Sequence, residues 1–345
     1  MGKFNYQHIE RFEMKKLKLN INCHYGCFGS FPERYVPGGY DSIFDFEEML
    51  KIMSGIEGLE GLAVWYPGHP YIENPDKLKK VLSNYGLRVS DICPDIWSDP
   101  KFRYGSISTP DIKIRKEAIK ITKRNIDLAV ELGAYSVLLW PAHDGFDYVF
   151  QADYAKAWDY MIESLNELGS YNPKVKIAIE PKQKDPRAKE YIEDCGKLMF
   201  FIKCLDVDNV GCALDLGHAL FAQERPAESL ALYNKYGKLY QVHLNDNYRD
   251  ADPDLVFGSI NFWDTLEMFY QLGKADFKGW LNIDTVTPRN DRSKMLELAV
   301  KFIKDYEAMA NVLLEHENEI DENLKNHNYV DNMLMIRELI FGKIK

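Results

Sequence analysis

Short runs of apolar and β-branched residues alternate along the chain with longer stretches in which apolar positions recur every three or four residues. The strand-like runs are LKLNINCH (17–24), LEGLAVWY (59–66), GLRVSDIC (86–93), YSVLLW (135–140), VKIAIE (175–180), NVGCALD (209–215), KLYQVHL (238–244) and WLNID (280–284). Between them lie FDFEEMLKIM, NPDKLKKVLSNY, RKEAIKITKRNIDLAVELGA and SKMLELAVKFIKDYEAM, whose period suits amphipathic helices packed on one face. In the third of these, Ile119, Ile126, Leu128 and Val130 are expected to form the apolar stripe, with Lys and Arg opposite. Helices are expected to stop at glycines before the next strand, as at Leu132-Gly133 and Tyr85-Gly86.

Eight strand-then-helix units are the count of a closed parallel barrel, so the expected class is α/β, a (β/α)8 TIM barrel. A doubly wound open sheet is the alternative. It usually carries fewer units and a phosphate-binding glycine fingerprint, and neither GxGxxG nor GxxxxGK[ST] occurs here. Residues 1–310 are expected to form the barrel domain. Residues 311–345 are polar and helix-prone, a C-terminal extension expected to wrap its own barrel or a neighbouring subunit of a homo-oligomer.

Composition narrows the classes. A chain of 345 residues that is 46% hydrophobic and 28% charged folds into a globular core. Its apolar runs are strand-sized, so no membrane partner is expected. The start, MGKFNYQHIERFEMKKLK, has no apolar signal-like segment, and Tyr6 stands where myristoylation needs Ser or Thr. Six scattered cysteines without a CxxC pair read as reduced thiols of a cytoplasmic protein. A net charge of −10 argues against nucleic acid, which needs a cationic footprint.

The chemistry collects at strand ends, because the C-terminal ends of parallel barrel strands share one rim. Strands five to eight are expected to finish in Glu180, Asp215, His243 and Asp284. Gathered without compensation, three carboxylates repel one another, and a cation removes that cost. Three carboxylates and an imidazole suit a hard or borderline ion such as Mg²⁺ or Mn²⁺. Taken singly, each has a plainer structural reading, as a cap for the next helix or a hydrogen-bonded core histidine. A second ion could be held by Asp215, His218, Asp252 and Asp254, with Asp215 bridging the two. Lys182, two residues after Glu180, could polarise a carbonyl oxygen, and Trp97 and Trp140 could wall the cavity against water.

With these segments in view, the sequence resembles the xylose isomerase family of metal-dependent aldose–ketose isomerases. IEPKQKDPR is similar to the family's strand-five segment, which implies a metal-ligating Glu180 and a substrate-contacting Lys182. DLGH carries an acid and a His three apart, with Asp215 where the family usually has Glu. DPDLVFG is similar to the segment that ligates the second metal, RNIDLAVELGA with Trp140 to the helix-three and strand-four region, DIWSDPKF to the aromatic wall segment, and IDTVTPR to the strand-eight acid. The resemblance spans about residues 86–290 and departs from the pattern twice. At strand seven an acid is replaced by His243, as in the rhamnose isomerase branch. At strand two, where a ring-opening His is usual, VWYPGHP offers Trp65, with His69 four residues later.

The implied activity is isomerisation of a monosaccharide or close derivative by two divalent ions, Mn²⁺ or Mg²⁺ with Co²⁺ also suitable. One-metal epimerase or enediolate-type lyase chemistry and a non-catalytic sugar-binding barrel are the alternatives.

Overall fold

The computed structural model describes residues 17–342. Eight strands close into a parallel barrel in chain order: β1 (Asn20–His24), β2 (Leu59–Tyr66), β3 (Arg88–Pro94), β4 (Val137–Leu139), β5 (Ile177–Ile179), β6 (Val210–Asp215), β7 (Leu239–Leu244) and β8 (Trp280–Ile283), with β8 pairing back onto β1. The expected TIM barrel is the fold. Most apolar runs overshoot the paired strand by one to three residues, since hydrophobicity continues past the point where neighbouring strands pair. Gly145–Phe146 and Lys189–Glu190 add a small antiparallel ladder above β4 and β5.

Helices α1 (Phe46–Ser54), α2 (Pro75–Asn84), α3 (Ile112–Leu132), α4 (Tyr154–Tyr171), α5 (Cys195–Lys203), α6 (Leu216–Phe221), α7 (Pro226–Lys235), α8 (Phe262–Lys274) and α9 (Arg292–Glu315) surround the barrel. Asp45, Asn74, Asp111, Asp153, Asp194, Asp215 and Asp291 cap helix starts by accepting backbone N–H groups. Gly133 ends α3 in the left-handed conformation at φ 72°, as its sequence context suggests. The expected stripe on α3 needs one correction. Ile119, Ile126 and Leu128 are buried, but Val130 is 60% exposed. The buried arc centres on Ala118, Thr122, Asn125 and Ala129, and Val130 stands roughly 120° round from Ala118 at 3.6 residues per turn.

Helix α9 runs unbroken across residue 310, followed by α10 (Glu317–Lys325) and α11 (Tyr329–Phe341). These last helices lie on their own chain: Phe341 meets Phe262 and Trp263, and Lys274 pairs with Asp321 at 2.8 Å. Among the described residues no helix is long and apolar enough to cross a membrane. All six cysteines are free thiols.

Barrel interiors are usually filled by branched apolar side chains. Here the layer under the rim is polar. Asn22 on β1 donates to Ser90 Oγ (2.7 Å) and Asp91 Oδ2 (3.0 Å) on β3, and Gln241 on β7 donates to Ser136 (2.7 Å) just before β4. Neither pair of strands is adjacent, so both sets of bonds cross the interior. At the floor the Trp280 ring lies over Gly61, where a Cβ would come within 2.5 Å of it.

Candidate active site

Strand ends bring Glu180, Asp215, His243 and Asp284 together. Glu180 directly follows β5, Asp215 ends β6, His243 is the penultimate residue of β7 and Asp284 directly follows β8. One ligand atom from each lies within 4.8 Å of all the others, and among the described residues no second group of this kind is gathered so closely. Three carboxylate oxygens and an imidazole nitrogen at this spacing could hold a hard or borderline divalent cation. The plainer reading of Asp215 holds as well: it caps α6, accepting the His218 N–H at 2.8 Å. Its carboxylate is further held by the Asn245 side-chain amide at 3.1 and 2.9 Å.

The second expected set is arranged differently. Asp252 is an ion-pair hub: Lys182 Nζ lies 2.9 Å and His218 Nε2 3.1 Å from its Oδ2. The other ring nitrogen of His218 donates to the Pro181 carbonyl at 3.1 Å. Asp254 lines the cavity with a backbone φ of 49°, and its carbonyl accepts the Val286 N–H. Of this set Asp215 belongs to the first cluster, while His218, Asp252 and Asp254 stand beside it, with Lys182 and His218 already seated on Asp252.

These contacts shift the titrations. Burial alone would lower His243 and His218, but Glu180 and Asp284 hold the first at about 9, and Asp215 and Asp252 hold the second at about 10. Burial pushes Asp215 up to about 6, against the pull of His218. Burial also opposes charge on Lys182, yet Asp252 keeps its ammonium well above the usual range.

A cavity of about 250 Å³ opens over the cluster, room for one small polar molecule. Trp97 and Trp140 meet edge to face at 5.4 Å on one wall, and Lys182 stands 5.4 Å from the Trp140 ring centre. Trp65 adds a third indole. His69 is buried away from the cavity, against Tyr25, Phe46 and Trp65.

Several lining residues escaped the sequence reading. His24, the last residue of β1, places Nε2 2.9 Å from Asp284 Oδ1. Asp91 and Asn282 line the cavity floor, and Gln241 supports His243 from below. The strand-end rule applied to strands five to eight would have found His24 on strand one, and period-two alternation would have linked Gln241 to His243.

Comparison with known proteins agrees with this architecture. The family model described as xylose isomerase-like TIM barrel matches residues 53–306. The xylose isomerase of Thermus thermophilus is 29% identical over 221 residues, 62% of this chain and 57% of that enzyme. That of Thermus caldophilus is 27% identical over the same length and shares. The match therefore spans less than two thirds of either relative. Among solved structures, a D-tagatose 3-epimerase-like protein superposes with a TM-score of 0.66 at 18% identity, over 85% of this chain and 98% of that one. L-ribulose 3-epimerase gives 0.65 at 16% identity, over 86% and 97%. At such identities the likeness to these structures is one of fold. The family match covers most of the barrel, and the chain belongs to the xylose isomerase-like TIM-barrel family.

Proposed function

We propose that this chain is a divalent-metal-dependent aldose–ketose isomerase acting on a single small monosaccharide or close derivative. The observation that carries the reading is the convergence of Glu180, Asp215, His243 and Asp284 within 4.8 Å at the rim, with the Lys182 ammonium beside them on the cavity wall. These four side chains would hold a Mn²⁺, Mg²⁺ or Co²⁺ ion, which would supply Lewis-acid polarisation of a substrate carbonyl.

The chain's own groups supply the rest. Lys182, fixed by Asp252, directs positive charge at the oxygen that becomes negative as hydrogen moves between adjacent carbons. Trp97 and Trp140 keep water from that transfer. The cavity volume of about 250 Å³ supports one sugar unit as the substrate.

Epimerisation next to the carbonyl is the second reading. It is favoured by the single close cluster and by the two cations seated on Asp252, which together fit one ion better than two. There Glu180 would remove a proton and an acid across the cavity would return it.

The test is a panel of aldoses and ketoses in D₂O with metal-stripped and Mn²⁺-restored protein. Isomerase activity by hydride shift gives a ketose or aldose product without carbon-bound deuterium. Deuterium in a product epimer selects the second reading, and absence of turnover with every sugar and metal removes both.

A further inference from the structure

We propose that Gln241 is a positioning residue that fixes the tautomer of His243 and so sets the affinity of the rim for its divalent cation. This rests on the four-donor cluster being an ion site, and not on which sugar reaction the site serves.

The two ring nitrogens of His243 face different surroundings. Nδ1 lies 3.2 Å from Glu180 Oε1 and 3.9 Å from Asp284 Oδ2, inside the cluster. Nε2 points down the barrel, 3.0 Å from Gln241 Oε1. Nδ1 is therefore the nitrogen that offers a lone pair to a cation among the carboxylates. A neutral imidazole carries one N–H, which must then sit on Nε2 and needs an acceptor in the buried interior.

Gln241 provides that acceptor. A glutamine amide can face either way and a serine hydroxyl can serve either end of it, so it is the Nε2–H of His243 that requires the amide oxygen. The amide nitrogen of Gln241 then donates to Ser136 Oγ, 2.7 Å away. Once Nδ1 donates its lone pair, the bonds from His243 through Gln241 to Ser136 run in one consistent direction. All three residues are at most 2% exposed, so water does not compete for these groups. Gln241 precedes His243 by two residues and shares its strand face, while Ser136 reaches it across the interior.

The test compares the parent with Gln241→Met, which keeps length without a strong acceptor, Gln241→Glu, which keeps the acceptor, and Ser136→Ala. Mn²⁺ affinity is read by calorimetry. The His243 tautomer is read by long-range ¹H–¹⁵N correlation in ¹⁵N-histidine protein loaded with Mg²⁺, with His243→Asn giving the assignment. The expected result is a proton on Nε2 in the parent and a loss of Mn²⁺ affinity of about 10- to 100-fold in Gln241→Met. Gln241→Glu should retain the parental tautomer, and Ser136→Ala should shift affinity in the same direction as Gln241→Met by less.

Parental Mn²⁺ affinity in Gln241→Met, or a proton on Nδ1 in the Mg²⁺-loaded parent, overturns the proposal and leaves the ion site standing. If Gln241→Met does not fold, Ser136→Ala decides, and a parental Mn²⁺ affinity in that variant overturns the proposal. A parent that binds none of Mn²⁺, Mg²⁺ and Co²⁺ overturns the ion site and this inference together.

Discussion

The Nε2 atom of His24 lies 2.9 Å from Oδ1 of Asp284, joining the end of the first barrel strand to the residue that follows the last. Burial would raise the Asp284 carboxyl, but His24, followed by His243, holds it well below the usual carboxylate range. A histidine that orients and charges a candidate ligand in this way acts through that ligand. His24→Ala should leave the fold intact by circular dichroism and weaken Mn²⁺ binding by about 10- to 100-fold in a calorimetric titration.

Asp215 is bound on several sides, by the α6 N-terminus and by Asn245, while offering an oxygen to the cluster. Asp215→Ala should abolish turnover and reduce metal affinity by at least 100-fold, beyond the roughly 10- to 100-fold typical of outer supports. The lost helix cap should cost about 1 kcal/mol of stability. A variant with undiminished rate would refute a rim built around this carboxylate.

In the proposed reading Lys182 serves the chemistry and not the ion. Lys182→Met should lower kcat by about 10²- to 10³-fold, the scale of one lost donor to a developing oxyanion. Mn²⁺ affinity should change little, since Lys182 is not among the four donors. A large loss of metal affinity with unchanged kcat would reverse the assignment.

Metal-free protein should lose stability as pH rises. His243 titrates at about 9 and His218 at about 10 in the folded chain, both above the ordinary value of 6.5. The folded state therefore binds the extra protons, and their stabilisation is full below about pH 6.5 and lost as pH climbs through 9 to 10. Thermal melts in chelator should fall across that window, and added Mn²⁺ should flatten the slope by taking the place of the proton on His243. A melt insensitive to pH there counts against these pairings.

Gly217 stands where a side chain has no room. A Cβ at this position would overlap Asn245 Oδ1 and come 2.6 Å from its Cγ, displacing the amide that holds Asp215. Gly217→Ala should destabilise the fold by about 1–3 kcal/mol in urea titrations, the usual scale of overpacking. Mn²⁺ affinity should fall with it.

How much of this was legible in the sequence follows from how far each partner lies along the chain. The barrel was legible because strand runs and helical periods are local patterns. Glu180, Asp215, His243 and Asp284 were legible because one geometric rule, that strand ends converge, needs no knowledge of pairing. His24 ends strand one and the same rule reaches it, but its pairing with Asp284, 260 residues away across the closure, is what no local pattern shows. Lys182 and Asp252 were each singled out, but their 2.9 Å ion pair joins two loops whose paths no local pattern fixes. Val130 misled because an apolar side chain just past the edge of a buried arc fits the same helical period.

The four rim donors all come from β5 to β8, so the first four strands contribute none of them. An ion seated there would act as a staple across half of the barrel. Amide exchange in residues 177–284 should slow more on loading than exchange in residues 20–139, dividing a uniform-looking ring into a metal-tightened arc and a metal-indifferent one.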